Sequence, residues 1–113
     1  AAAAFEAALT VIGPEPALLG GLALTLRAAG RPTAAVEPAR RALAARPDDP
    51  ALGNALASIL LCAGRPDEAW PVIRRLRERD PAALEPIAHE AVAARLLADP
   101  GYARLYDFER FVR

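Results

Sequence analysis

Apolar residues recur along this chain with the spacing of helices rather than strands. Leu19, Leu22, Ala23 and Leu26 fall at i, i+3, i+4 and i+7, one stripe on a helix. Gly30 follows, tolerant of the positive φ that a helix C-terminus prefers. Pro32-Thr33 then opens a second helix, with Thr33 as candidate N-cap and Ala35, Ala39 and Ala42 as its buried face. Pro47 stops it, because proline disfavours the helical conformation in the residue before it. The unit is two helices joined by a glycine turn.

That unit recurs. Gly30-Arg31-Pro32 reappears as Gly64-Arg65-Pro66, a period of 64 − 30 = 34 residues. The same offset pairs Leu22 with Leu56, Ala23 with Ala57, Leu26 with Leu60, Ala35 with Ala69 and Pro47 with Pro81; the Leu43–Arg77 pair breaks it. The second unit's second helix opens at Pro66-Asp67, with Asp67 as candidate N-cap, buries Ala69, Ile73 and Leu76, and stops at Pro81. Small residues at Ala23, Ala35, Ala57 and Ala69 let the helices of a hairpin approach closely.

One period back, Phe5 and Ala8 fall on the buried face of a lone second helix, so residues 1–13 read as half a repeat ahead of units 16–49 and 50–83. One period forward, Ile87, Ala91 and Ala94 become the next stripe, with Glu90 where leucine is expected. Asp99-Pro100-Gly101 makes the turn and a last helix is expected over 102–112, so 84–113 reads as a degenerate repeat ending in capping helices. Pro38 and Pro71 lie early in the second helices, where proline costs least, and predict a bend. The alternative is helices that begin at these prolines.

This pattern resembles the tetratricopeptide repeat from Glu15 to Pro81: large–small apolar pairs in the first helix, glycine at the turn, alanine twice in the second helix, then proline. The departures are Leu19, Gly53 and Ala39, where that family often places bulky aromatics, and they predict a thinner core. The resemblance implies an all-α fold of antiparallel hairpins stacked in a right-handed superhelix, with the first helices lining a concave groove. Outward positions of those helices are Ala17, Gly20, Leu24 and Arg27, then Asn54, Ser58, Leu61 and Cys62, then Glu85, Ala88, Val92 and Arg95. Leu24, Arg27, Asn54, Ser58, Leu61, Cys62, Glu85, Val92 and Arg95 are the candidate partner-binding residues, and a protein or peptide is the implied partner. Some members grip a C-terminal carboxylate with lysine and asparagine. Here only Asn54 matches and lysine is absent, so that activity is not carried over.

Two other readings stay open. The nine residues Leu105 to Arg113 resemble the junction in bacterial proteins where such an array precedes a 2-oxoglutarate and iron dependent oxygenase-like domain, which would make this an accessory region of an enzyme. Alternatively, the open end at residues 1–13 stacks on another copy.

Composition narrows the classes further. A chain of 113 residues is one domain by length, and 54% apolar residues exclude disorder, although much of that fraction is alanine. With 14 basic and 14 acidic residues, neither nucleic acid nor an anionic membrane is the expected partner. Arginine without lysine, beside abundant alanine and proline, suggests a bacterial coding sequence rich in G and C. The absence of methionine suggests that the chain begins inside a longer one. Ala1 to Ile12 carries Glu6 and no basic start, which favours a helix over a signal peptide. No run reaches the roughly 20 apolar residues of a membrane span. A soluble, cytoplasmic protein is therefore expected, and the single cysteine excludes an intrachain disulfide.

Catalytic chemistry finds little material. His89 is the only histidine; Glu85 and Glu90 flank it as a weak acid pair, but a surface histidine on a cap helix is the expectation. Cys62, with no second cysteine and no nearby histidine, reads as a buried or groove-lining thiol. Gly20-Gly21 lacks phosphate-loop spacing and reads as a close-packing point. Arg74, Arg75, Arg77 and Arg79, like Arg40, Arg41 and Arg46, suit a helix C-terminus, and Glu78 and Asp80 dilute them into a solvated face. No catalytic set, cofactor motif or metal spacing is expected, so the chain reads as a binding scaffold rather than an enzyme.

Overall fold

The computed structural model describes residues 2–98, and among these it is helical throughout, without strands. In chain order the helices are α1 (Ala2–Ile12), α2 (Pro16–Ala28), α3 (Pro32–Ala45), α4 (Pro50–Cys62), α5 (Pro66–Arg79) and α6 (Leu84–Ala98). Consecutive helices pack on each other, and α2, α4 and α6 also touch along the array, α2 on α4 and α4 on α6. The hairpins α2–α3 and α4–α5 are thus stacked, an all-α helical repeat solenoid.

Proline opens four of these helices at the first helical position, where its missing N–H has no partner to lose. Ahead of α4, Asp49 Oδ1 accepts from the Ala51 and Leu52 amides at 2.9 and 3.2 Å. The second helices differ from expectation here. Arg31 and Arg65 hold the N-cap positions without a side-chain bond, and Thr33 and Asp67 lie just inside the helix, because the prolines between them take the first helical turn. Both helices run through Pro38 and Pro71, which fall within the first two turns, and neither begins there.

Gly30 and Gly64 close the first helices with φ of +77° and +72°. The amides of Arg31 and Arg65 return to Leu26 O and Leu60 O at 2.9 and 2.8 Å, and those of Gly30 and Gly64 to Arg27 O and Leu61 O, both at 3.0 Å. This paired bond pattern requires a left-handed residue at the turn, which glycine adopts without a Cβ clash. Ala23, Ala35, Ala57 and Ala69 are wholly buried where hairpin helices meet. Gly21 serves the same purpose at the N-terminal end: a Cβ there would lie 2.3 Å from Phe5 Cε1, so α1 docks its aromatic ring against bare backbone.

The middle helix is enclosed. Residues 56–61 of α4 are all buried, a run longer than one turn, because α2, α3, α5 and α6 surround it. Ser58 and Leu61, expected to face outward, are 2% exposed. An amphipathic pattern cannot mark this stretch, since residues 56–61 are buried on every side.

The third unit is out of register with a uniform period. Ile87, Ala91 and Ala94 are exposed, whereas Pro86, His89, Val92, Ala93 and Leu96 are buried. Spacing from proline to proline explains this: 50 − 47 = 3 in the second unit against 86 − 81 = 5 in the third. Two added residues turn a helix by about 200°. With an offset of 36, Glu85-Pro86 matches Asp49-Pro50, and His89, Val92, Ala93 and Leu96 match Gly53, Leu56, Ala57 and Leu60. Val92 therefore belongs to the core rather than the outer face, and His89 is 1% exposed rather than a surface residue. The expected turn at 99–101 and helix at 102–112 lie outside the described residues.

Candidate functional site

The first helices α2, α4 and α6 place their candidate residues unequally. Leu24 is 41% exposed near the middle of α2, and Arg27, one turn on, is half-buried. Arg27 Nη1 donates to Ser58 Oγ at 2.7 Å, while Ser58 Oγ donates to Ala55 O at 2.9 Å. Asn54 is half-buried; its Nδ2 donates to Pro50 O at 3.0 Å, and its Oδ1, shielded from solvent, has no hydrogen-bond partner among the described residues. Cys62 is exposed at the end of α4, so the buried alternative for its thiol does not hold. Glu85 and Arg95 are exposed.

With the register corrected by two residues, the positions on α6 equivalent to Ala17, Gly20, Leu24 and Arg27 are Ile87, Glu90, Ala94 and Leu97. Ile87 and Leu97 are 39% and 50% exposed, and Glu90 accepts from Arg77 Nη1 at 2.6 Å. Leu24 on α2 and Leu97 on α6 thus stand on either side of α4, whose own equivalents Ser58 and Leu61 are buried, while Ile87 corresponds to Ala51, which is exposed. Ile87, Glu90 and Leu97 were missed because the 34-residue ruler was carried past Pro81. The Glu85-Pro86 pair, repeating Glu15-Pro16 and Asp49-Pro50, was the signal that sets the register.

His89 sits where Leu19 and Gly53 sit in the earlier units. Burial, reinforced by the nearby Arg27 charge, pushes its pKa down to about 4, so the ring is neutral near neutral pH. It behaves as a core residue. Arg40, Arg41, Arg46, Arg74, Arg75 and Arg79 are exposed, as a solvated face requires, and several of them pair across it: Asp48 Oδ1 accepts from Arg75 Nη2 at 3.0 Å and Arg79 Nη1 at 2.8 Å. Glu68 accepts from Arg40 Nη2 at 2.8 Å and from the Arg65 guanidinium, whose hydrogen bond holds the Glu68 carboxyl below its ordinary range. Among the described residues no group of three or more His, Cys, Asp or Glu side chains could hold a metal ion. No described helix is long and apolar enough to cross a membrane.

Stacked hairpins with glycine turns and alanine contacts define an α-helical repeat array. The tetratricopeptide repeat family profile matches residues 26–99, more than half of the chain, and the chain belongs to that family. No curated protein and no solved structure matches it. Repeats of this family mediate protein–protein interaction and are typically not catalytic. The string Leu105 to Arg113, on which the oxygenase-like alternative rested, lies outside the described residues.

Proposed function

We propose that the chain is a protein-interaction module that holds a peptide or partner domain along α2, α4 and α6. The exposure of Leu24, Ile87 and Leu97 on the flanks of a buried α4 row carries this reading. Single exposed apolar residues mean little, but three on the two helices that flank α4 offer an apolar seat. Arg27, Asn54, Cys62 and Glu90 add polar contacts, and Glu85 and Arg95 stand at its rim. Ser58 and Leu61 shape the floor from beneath, and Val92 supports α6 from the core. The repeat units are 16–49 and 50–83 after a half repeat at 1–13, and a bacterial cytoplasm is the setting that arginine in place of lysine and the lone Cys62 favour.

The test is affinity capture with the native chain, Leu24→Glu and Leu97→Glu as baits, with circular dichroism to establish equal helicity. A protein retained by the native bait and lost from both variants supports the groove. Identical captures from three equally folded baits overturn it.

A second reading, self-association, is favoured by α1, which buries no residue fully and leaves Val11 and Ile12 85% and 63% exposed. Light scattering decides it: a mass that rises with concentration, and falls for Val11→Glu, supports stacking of copies, and a constant monomer mass excludes it.

A further inference from the structure

The two central hairpins meet along two edges that are built differently. On the groove edge α2 packs on α4. On the outer edge α3 and α5 hardly touch, although each of them packs on α4 between them. A cleft of about 600 Å³ lies there, lined by Leu43 of α3 and Val72 of α5. Gly53 forms its base, where the preceding unit has Leu19, and a Cβ on Gly53 would lie 2.8 Å from Leu76 Cδ2. Leu76 therefore fills the base, and the cleft stays open above it. Interdigitated side chains fix the angle between packed helices. Among the described residues no such packing joins α3 to α5.

What does span the outer edge is charge. Near the start of α5, Arg40 Nη2 of α3 meets Glu68 Oε1 at 2.8 Å, and Arg65 holds the Glu68 carboxylate in place. Near its end, Asp48 Oδ1, just past α3, accepts from Arg75 Nη2 at 3.0 Å and from Arg79 Nη1 at 2.8 Å. These side chains are between 34% and 60% exposed, so salt reaches every pair. One exposed pair contributes little by itself. Here three act on a single angle that packing leaves free, enough to shift its population on the order of fivefold. The angle also reaches the groove. Since α2 and α3 pack as one hairpin, turning them about α4 so that α3 leaves α5 carries α2 toward α6 on the other side.

We propose that Arg40 with Glu68, and Asp48 with Arg75 and Arg79, form an electrostatic clasp that sets the angle between the two hairpins, closed at low ionic strength and released by salt. Release widens the outer cleft and brings Leu24 of α2 closer to Leu97 of α6. The consequence for binding rests on the protein-interaction reading of the groove. The clasp itself is measured without any partner, so either can fail without the other.

The experiment is pulsed electron spin resonance on the full chain in a Cys62→Ala background, with nitroxide labels in pairs. Ala45→Cys with Glu78→Cys spans the outer edge, and Ala28→Cys with Ala94→Cys spans the groove; all of these positions are exposed. Between about 0.01 M and about 1 M sodium chloride the screening length falls from about 30 Å to about 3 Å. Over that range the outer distance is expected to lengthen and the groove distance to shorten. R40Q/D48N is expected to show the high-salt distances already at low salt and to respond no further. R40E/D48R, which sets like charges together at both ends, is expected to be open at low salt and to close as salt rises, reversing the sign. Should a variant fail to fold by circular dichroism, the two distances of the native chain still decide. Native distances that ignore salt, or an R40Q/D48N chain that responds as the native one does, would overturn the clasp. Both distances lengthening together would mean general loosening and would overturn the pivot about α4.

Discussion

Arg27 Nη1 reaches from the last turn of α2 to Ser58 Oγ in the middle of α4, at 2.7 Å. The bond ties two successive repeats through their first helices. Ser58 is 2% exposed, so its hydroxyl is satisfied inside the protein, accepting from Arg27 and donating to Ala55 O. Ser58→Ala is therefore expected to cost about 1–2 kcal/mol, through loss of a buried bond to a charged group. Urea unfolding followed by circular dichroism measures it, and a change below about 0.3 kcal/mol would show that the bond is not structural.

The notch at Gly21 gives a prediction whose sign depends on its partner. In the native chain a Cβ at 2.3 Å from the Phe5 ring displaces α1, so Gly21→Ala destabilises by about 1–3 kcal/mol despite alanine's better helix propensity. In a Phe5→Ala background the clash is gone, and the same substitution becomes neutral or stabilising by up to about 1 kcal/mol. A double-mutant cycle in urea reads this coupling, and additive effects would mean that Phe5 does not occupy the notch.

His89 links stability to pH. Its pKa is about 4 in the folded chain against an ordinary value of 6.5, so the unfolded chain binds the proton first. Its stabilising contribution is fully present above pH 6.5 and is lost as pH falls toward 4, amounting to about 3 kcal/mol at most. His89→Gln should flatten this part of the profile while the carboxylate contribution remains. Thermal melts of both proteins from pH 7 to 4 give the comparison; parallel curves would count against a buried neutral ring.

The register of the third unit is tested by a pair of aspartates. Val92→Asp places a charge at a core position and is expected to detach α6 from α4 and α5, at a cost of at least about 3 kcal/mol. Ile87→Asp, on the exposed face, is expected to change stability by about 0.5 kcal/mol or less. The uniform 34-residue period predicts the reverse order.

The helices, their glycine turns and the stacked hairpins were legible in the sequence because they depend on local rules. A stripe at i, i+3, i+4 and i+7, a glycine where φ must be positive, and a proline where a helix starts or stops each act within a few residues. Their recurrence at Gly30 and Gly64, and at Ala35 and Ala69, made the repeat family readable as well. What escaped was set by neighbours distant along the chain. Ser58 and Leu61 are buried because α4 is enclosed by four other helices, and no pattern within α4 announces enclosure. Val92 and Ile87 exchange faces because two residues were added before Pro86, and which side of α6 is inward is decided only by packing on α4 and α5. The cleft beside Arg75 and Arg79 likewise exists only in three dimensions, as the space left where Gly53 carries no side chain and Leu76 covers only its base. Local propensity and spacing therefore determine the elements and their order. Enclosure, helix rotation and missing volume are properties of the assembled stack, and they decide which residues a partner can touch.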